Sequence, residues 1–140
     1  ETFNFSELVK KIIIKYENTN ISSDVENNIY YDGRKNLIQR CLNNIIDNSI
    51  KFGKLISISL KKKNNNILIT IDDNGPGIPK EELENVFKPF YKIDKGRDIS
   101  KSSVGLGLSI AMDIIKSHGG RINLKKSPDG GLRVEINLPF

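Results

Sequence analysis

The spacing of apolar and polar positions divides the chain into short elements of changing type. From Phe5 onward, Ser6-Glu7-Leu8-Val9-Lys10-Lys11-Ile12-Ile13-Ile14-Lys15-Tyr16 has helical spacing, with Ser6 as the expected N-cap and acidic Glu7 in the first turn. Two short extended stretches follow near residues 21–25 and 28–31. Asp32-Gly33 then opens a longer helix reaching about Phe52, whose Leu37, Ile38, Leu42, Ile45, Ile46 and Ser49 gather on one side; Gly53 is expected to close it. Runs of apolar, largely β-branched residues at 55–60 and 67–71 predict a hairpin, with polar residues 61–66 as its solvated tip. A Gly/Pro-rich turn at 72–79, a helical turn or two at 80–83 and a third helix at about 106–117 come next. A final hairpin, 121–126 with 132–138, turns around Pro128-Asp129-Gly130-Gly131. The expected fold is an α/β (α+β) two-layer sandwich, one mixed sheet with three main helices on one face, forming a single domain over residues 1–140. One stretch, about 91–104, is polar and without periodicity; a loop of that length in a compact domain reads as a functional lid.

Composition narrows the classes. The 140 residues, 37% apolar and 28% charged, suit one compact core and exclude global disorder. One Cys and one His exclude a disulfide framework and a Cys/His structural zinc site. No apolar run approaches the ~20 residues of a membrane-crossing helix, and no secretory leader precedes the first element, so this piece is expected to be soluble. The chain begins at Glu1 and its only methionine is Met112, which suggests a fragment of a longer protein. The net charge of +5 raises nucleic-acid binding, but basic and acidic residues are interspersed rather than blocked. Lys outnumbers Arg 17 to 5, with 22 Ile, 16 Asn and a single Ala, as codons rich in A and T would produce. No nucleic-acid partner is expected.

Three groups of residues could carry chemistry. On the second helix Asn44 and Asn48 project about 40° apart, and Lys51 falls about 20° to the other side of Asn44, so all three share a stripe bordering the apolar face. Amide oxygens are hard ligands suited to Mg²⁺, which takes few protein ligands together with phosphate and water; in an Asn-rich chain the pair can also be incidental. Asp73-Asn74-Gly75-Pro76-Gly77 follows a strand, so that a carboxylate stands at the strand end and two glycines admit a ligand close to the backbone. Such a carboxylate can accept a hydrogen bond from an exocyclic amine such as adenine's, although the same residues also make an ordinary turn. Gly105-Leu106-Gly107-Leu108 leads into the third helix, whose free N–H groups and dipole favour a phosphate. Phe87-Lys88-Pro89-Phe90 places two aromatics around a rigid proline and reads as core anchoring.

Taken together, a helical Asn-x-x-x-Asn-x-x-Lys, an Asp-x-Gly-x-Gly after a strand, a Phe-x-Pro-Phe, a polar lid and a Gly-x-Gly-Leu opening a helix resemble the catalytic ATP-binding domain of sensor histidine kinases. That family belongs to the superfamily of gyrase, heat-shock chaperones and mismatch-repair ATPases. The elements match its N, G1, F and G2 boxes in order, over essentially the whole chain and best from Leu37 to Phe140; from Phe87 onward it looks most like the osmosensor EnvZ type. The resemblance implies a Bergerat-type fold with ATP and Mg²⁺ between the helices and the lid. It implies Asn48 as the Mg²⁺ ligand, Asn44 and Lys51 as phosphate-side catalytic partners and Phe52 beside the base. Asp73 would take the adenine amine, with Gly75, Gly77 and Ile78 in the turn beneath it. Gly105, Leu106, Gly107 and Leu108 would form the phosphate end of the lid. Lys92 and Arg97 match positions that are usually basic. The family commonly has a third glycine two residues before Gly105; this chain has Ser103 there.

The implied reaction is transfer of the ATP γ-phosphoryl to a histidine on a separate helical dimerisation domain of the same protein. A response regulator would lie downstream, and the intact protein would be a homodimer with this domain on the cytoplasmic side of a membrane-anchored bacterial sensor. His118, at the end of the third helix, reads as helix-end chemistry and not as the phosphoacceptor; Cys41 reads as packing. Two other readings stand beside the kinase: a hydrolytic ATPase whose lid drives conformational change, and a degenerate domain kept for interaction. Hydrolytic relatives typically carry Glu where this chain has Asn44.

Overall fold

The computed structural model describes residues 1–16, 19–83, 85–87 and 104–140, the side chains of 104–106 excepted. Its elements run β1 (Thr2–Asn4), α1 (Phe5–Lys15), β2 (Asn20–Val25), β3 (Tyr30–Asp32), α2 (Lys35–Phe52), β4 (Leu55–Lys63), β5 (Asn66–Asp73), two 3₁₀ turns (Lys80–Glu82 and Asn85–Phe87), α3 (Val104–Ser117), β6 (Arg121–Lys126) and β7 (Leu132–Pro139). Five strands form a mixed sheet in the order β2-β4-β5-β7-β6, with β2 parallel to β4 and the other neighbours antiparallel.

Strict alternation gives the sheet two unlike faces. Ile56, Ile58 and Leu60 of β4, Ile67, Ile69 and Ile71 of β5, Ile122 and Leu124 of β6, and Val134, Ile136 and Leu138 of β7 are buried in one core with the inner faces of the helices. α2 contributes Ile38, Cys41, Leu42, Ile45 and Ile46 to it, and α3 contributes Leu108, Ala111, Ile114 and Ile115. Full burial of each such aliphatic side chain is worth about 1.5–3 kcal/mol. The opposite face is polar. It carries a Ser22–Ser57 hydroxyl pair, a Ser59–Thr70 hydroxyl pair, Lys61–Asp24 and Lys125–Glu135 ion pairs, and a two-point Arg133–Asp72 pair at 2.7 and 2.9 Å.

Several boundaries differ from those the sequence suggests. Asn4, not Ser6, caps α1, its side chain accepting from the Glu7 N–H at 3.1 Å. Ser6 is turned inward instead, donating to the Glu26 carbonyl at 2.6 Å and accepting from Ile29 N–H at 3.1 Å, which secures the link between β2 and β3. β1, invisible in a three-residue stretch, pairs with β3 as a separate two-stranded ribbon, so the sheet is not the only one. Phe3, Phe5 and Tyr31 gather there with ring centroids 5.7–6.0 Å apart. The β4–β5 tip is shorter than 61–66: Lys61 to Lys63 continue the strand, and Lys63 pairs with Asn66 around Asn64, which takes φ 53°. The lysine heads find partners off the strand, with Lys61 on Asp24 and Lys62 over the Phe140 ring at 5.0 Å.

α2 begins at Lys35, with no side-chain cap from Arg34. The reason lies in tertiary structure: the Arg34 N–H donates to His118 Nε2 at 3.1 Å, and the Arg34 guanidinium reaches Ser117 Oγ at 3.1 Å. The end of α3 thus clasps the start of α2. α3 starts at Val104 instead of Leu106, so Gly105 and Gly107 sit within its first turn and Val104 belongs to the helix, not the lid. The rest of the expected lid, with Lys92, Arg97 and Ser103, lies outside the described residues, as do Lys88, Pro89 and Phe90. No helix among the described residues is long and apolar enough to cross a membrane.

Candidate nucleotide site

α2 organises the site because its polar stripe borders the buried one. Asn48 is buried, Asn44 and Phe52 are half-buried, and Lys51 is exposed at the last turn. The Asn48 Oδ1 is buried and has no hydrogen-bond partner among the described residues. An unpaired buried acceptor costs about 1–3 kcal/mol, and α2 retains two among the described residues, Asn43 Oδ1 and Asn48 Oδ1, of which Asn48 belongs to the polar stripe. A hard amide oxygen held dry at this place fits Mg²⁺, whose coordination is completed by phosphate and water.

The two Gly-containing segments meet α2 at its middle and its end. A Cβ built on Gly107 would lie 3.9 Å from the Asn44 Cβ, so the first turn of α3 rests against the Asn stripe. At the other end, a Cβ on Gly75 would fall far inside contact with the Phe52 carbonyl oxygen and 2.7 Å from its carbon. Gly53 is also needed for space, not for a left-handed cap: its φ is −121°, and a Cβ would sit 2.8 Å from the Asp73 Cβ. Gly77 does require freedom at φ 73°. From Asn44 to Phe52 the helix rises about 12 Å, the length scale of a nucleotide, with a helix N-terminus at one end and a carboxylate at the other.

That carboxylate is Asp73. Alternation along β5 sends the two neighbouring acids apart: Asp72 joins the polar face and pairs with Arg133, whereas Asp73 lies buried on the helix side. The hydrogen bond to Asp72 raises the Arg133 pKa above its usual value. Asp73 Oδ1 accepts the Gly75 N–H at 2.9 Å and the Leu132 N–H at 3.1 Å. Ile78 packs half-buried against the core beside the turn, and Leu108 is a core residue, so any part it plays in the site is through packing. Side chains of Gly105 and Leu106 are outside the described set.

Three residues that the spacing did not single out shape this end. Asn74 Oδ1 accepts the N–H groups of Lys54 and Leu55 at 2.8 and 2.9 Å, tying the exit of α2 to the turn. Leu132 supplies a donor to Asp73, and Gly131 leaves room for it. An Asn within an Asp-x-Gly-x-Gly turn is a recognisable Asx signal; nothing local marks Gly131 as more than a hairpin residue.

The two residues set aside on sequence grounds are structural. His118 Nε2 accepts from Arg34 N–H and Nδ1 lies 2.8 Å from the Ile114 carbonyl, so both ring nitrogens are engaged. Burial pushes the Cys41 thiol up to about 12, which makes it inert, and its Sγ faces the Ala111 carbonyl at 3.7 Å. Among the described residues no group of three His, Cys, Asp or Glu could hold a metal.

Residues 33–140 match the family of histidine kinase-, DNA gyrase B- and HSP90-like ATPases. The chain belongs to that family. Within it the similarity is to histidine kinases: the sensor histidine kinase GtrS of Pseudomonas aeruginosa is 36% identical over 78% of this chain and 22% of its own length. The sensor histidine kinase CpxA of Escherichia coli is 38% identical over 77% of this chain and 24% of its own. The chain therefore spans about a quarter of these relatives. The solved ATP-binding domain of PrrB from Mycobacterium tuberculosis superposes with a TM-score of 0.82 at 25% identity, covering 99% of this chain and 96% of that one. These matches do not separate the osmosensor type from other sensor kinases. The chain is a catalytic ATP-binding domain of the histidine-kinase kind.

Proposed function

We propose that this domain binds ATP with Mg²⁺ along α2 and passes the γ-phosphoryl to a histidine on a separate helical domain of the same protein. The observation that carries the reading is the buried, unpartnered Asn48 Oδ1, one helical turn from the Asn44 that backs the first turn of α3. In this arrangement Asp73 holds the adenine amine, Phe52 and Ile78 flank the base, and Gly75 and Gly77 admit it to the backbone. Asn48 holds the cation, which when bound would neutralise charge on the phosphate oxygens. Asn44 and Lys51 orient the phosphates, and the N–H groups of the first α3 turn, around Gly105 and Gly107, face them. Lys92 and Arg97 are assigned to the phosphate side from sequence alone.

No step needs a general base on this chain. An amide at Asn44 cannot take a proton from water at neutral pH, whereas a neutral imidazole is already nucleophilic and requires orientation. Positioning and charge stabilisation then supply most of the catalysis. A dimeric intact protein, a response regulator receiving the phosphoryl group and a place on the cytoplasmic side of a membrane-anchored sensor complete the proposal.

The test supplies radiolabelled ATP and Mg²⁺ to the chain with and without a helical domain carrying an acceptor histidine. Phosphohistidine on the added domain, no label on His118 and very slow hydrolysis by the chain alone are expected. Rapid hydrolysis unaffected by Asn44→Ala would favour the ATPase reading instead. Absence of any nucleotide binding would leave an interaction module.

A further inference from the structure

The β6–β7 turn closes on Asp73. Within it Ser127 N–H donates to the Gly131 carbonyl at 2.8 Å and Gly130 N–H to the Ser127 carbonyl at 3.0 Å. The Ser127 hydroxyl, buried, accepts from Asp129 N–H at 3.0 Å, so the turn is internally braced. The next residue, Leu132, sends its N–H to Asp73 Oδ1 at 3.1 Å across 59 residues of sequence. A Cβ on Gly131 would stand 2.5 Å from the Asp73 carbonyl oxygen, 2.6 Å from Gly75 N and closer still to Asp73 Oδ1. Among the described residues the glycines with positive φ are Gly77, Gly119 and Gly130, and Gly131 is not one of them. Its lack of a side chain therefore answers a need for space, and the space adjoins a carboxylate oxygen.

We infer that the β6–β7 turn is a positioning element of the base site, with Gly131 and the Leu132 amide setting the rotation of the Asp73 carboxylate and hence selection of a 6-amino purine. Two amides on one oxygen, from Gly75 and Leu132, define the carboxylate plane and so the direction of its second oxygen. A 6-amino group donates to that oxygen, whereas a 6-oxo group presents an acceptor to it. A methyl at Gly131 would stand 2.5 Å from the Asp73 carbonyl oxygen and closer still to Oδ1, so the carboxylate or the turn must shift by roughly half an ångström to an ångström, which is enough to misdirect a hydrogen bond whose strength falls steeply with angle. The inference rests on the assignment of Asp73 to the base; Gly131 itself acts through Asp73 and touches no ligand.

The experiment compares ADP and inosine diphosphate by titration calorimetry, with Mg²⁺, on the wild-type chain, Gly131→Ala and Gly130→Ala. Gly130 has φ 100° and nothing within 4 Å of a built Cβ, so its variant strains the same turn without touching Asp73. Wild type should prefer ADP, and Gly131→Ala should reduce that preference by about tenfold, the scale of one hydrogen bond. Gly130→Ala should lower Tm but keep the preference. A folded Gly131→Ala with the wild-type ADP preference overturns the inference while leaving nucleotide binding intact; failure of wild type to bind ADP overturns the base assignment as well. Should Gly131→Ala not fold, the Leu132 amide proton of the wild type carries the test. Its NMR shift should move with ADP and stay fixed with tripolyphosphate, and an unmoved signal under saturating ADP refutes the positioning role.

Discussion

Replacing Asn48 by leucine should separate stability from function with opposite signs. Most polar-to-apolar changes in a helix that binds nothing are neutral, and most changes in a core destabilise. Here the buried Oδ1 has no partner among the described residues, so its removal returns a desolvation penalty of about 1–3 kcal/mol. Asn48 is only 8% exposed, and leucine, with a similar branching shape, adds apolar burial that overpacking of about 1–3 kcal/mol partly offsets. The net expectation is a gain of about 1 kcal/mol. With unfolding entropy near 2.1 cal/mol/K per residue over 140 residues, this corresponds to a rise of about 3 °C in Tm. Loss of one charge-assisted ligand should weaken Mg²⁺-dependent ATP binding by about 1.5–3 kcal/mol, or roughly 10- to 150-fold. Thermal unfolding without nucleotide or Mg²⁺ measures the first effect, and calorimetry with both measures the second. A Tm lowered by several degrees would show that Asn48 is a structural residue. Undiminished Mg²⁺-dependent affinity would place the cation elsewhere.

Other expectations follow from single contacts. Asp73→Asn should weaken ATP by roughly 1–3 kcal/mol in calorimetry, because the amide that replaces one oxygen opposes the adenine amine donor with a donor of its own. Cys41 should resist alkylation at pH 8 in the folded chain and react once denatured; since its thiol rises from 9.0 to about 12 on folding, the folded state holds the proton longer, and stability should fall as pH rises from 9 toward 12. Arg133→Ala leaves the buried Asp72 without its two-point partner and should cost about 1–3 kcal/mol in denaturant melts. ATP affinity should be unchanged, because that pair lies on the other face of the sheet.

Local chemistry alone determined much of this protein. The 3.6-residue spacing on α2 already placed Asn44, Asn48 and Lys51 on one stripe beside the apolar face, since helix geometry turns sequence separation directly into angle. The opposite facing of Asp72 and Asp73 was not legible, because the sequence suggests a turn from residue 72, whereas β5 runs on through Asp73 and its alternation then separates the two acids. The glycine-bearing turns were legible as turns, but only the structure shows that Gly77 and Gly130 serve a positive φ while Gly75 and Gly131 serve close approach. What remained hidden depended on partners distant in sequence. Ser6 resembles an N-cap until Glu26 and Ile29 are seen to claim its hydroxyl. The clasp of His118 on Arg34 spans 84 residues, and the short β1 strand exists only because β3 lies beside it. That the Leu132 N–H meets Oδ1 of Asp73 could be decided only by tertiary structure, because a hydrogen bond between strand ends requires that the sheet already bring β5 and β7 together.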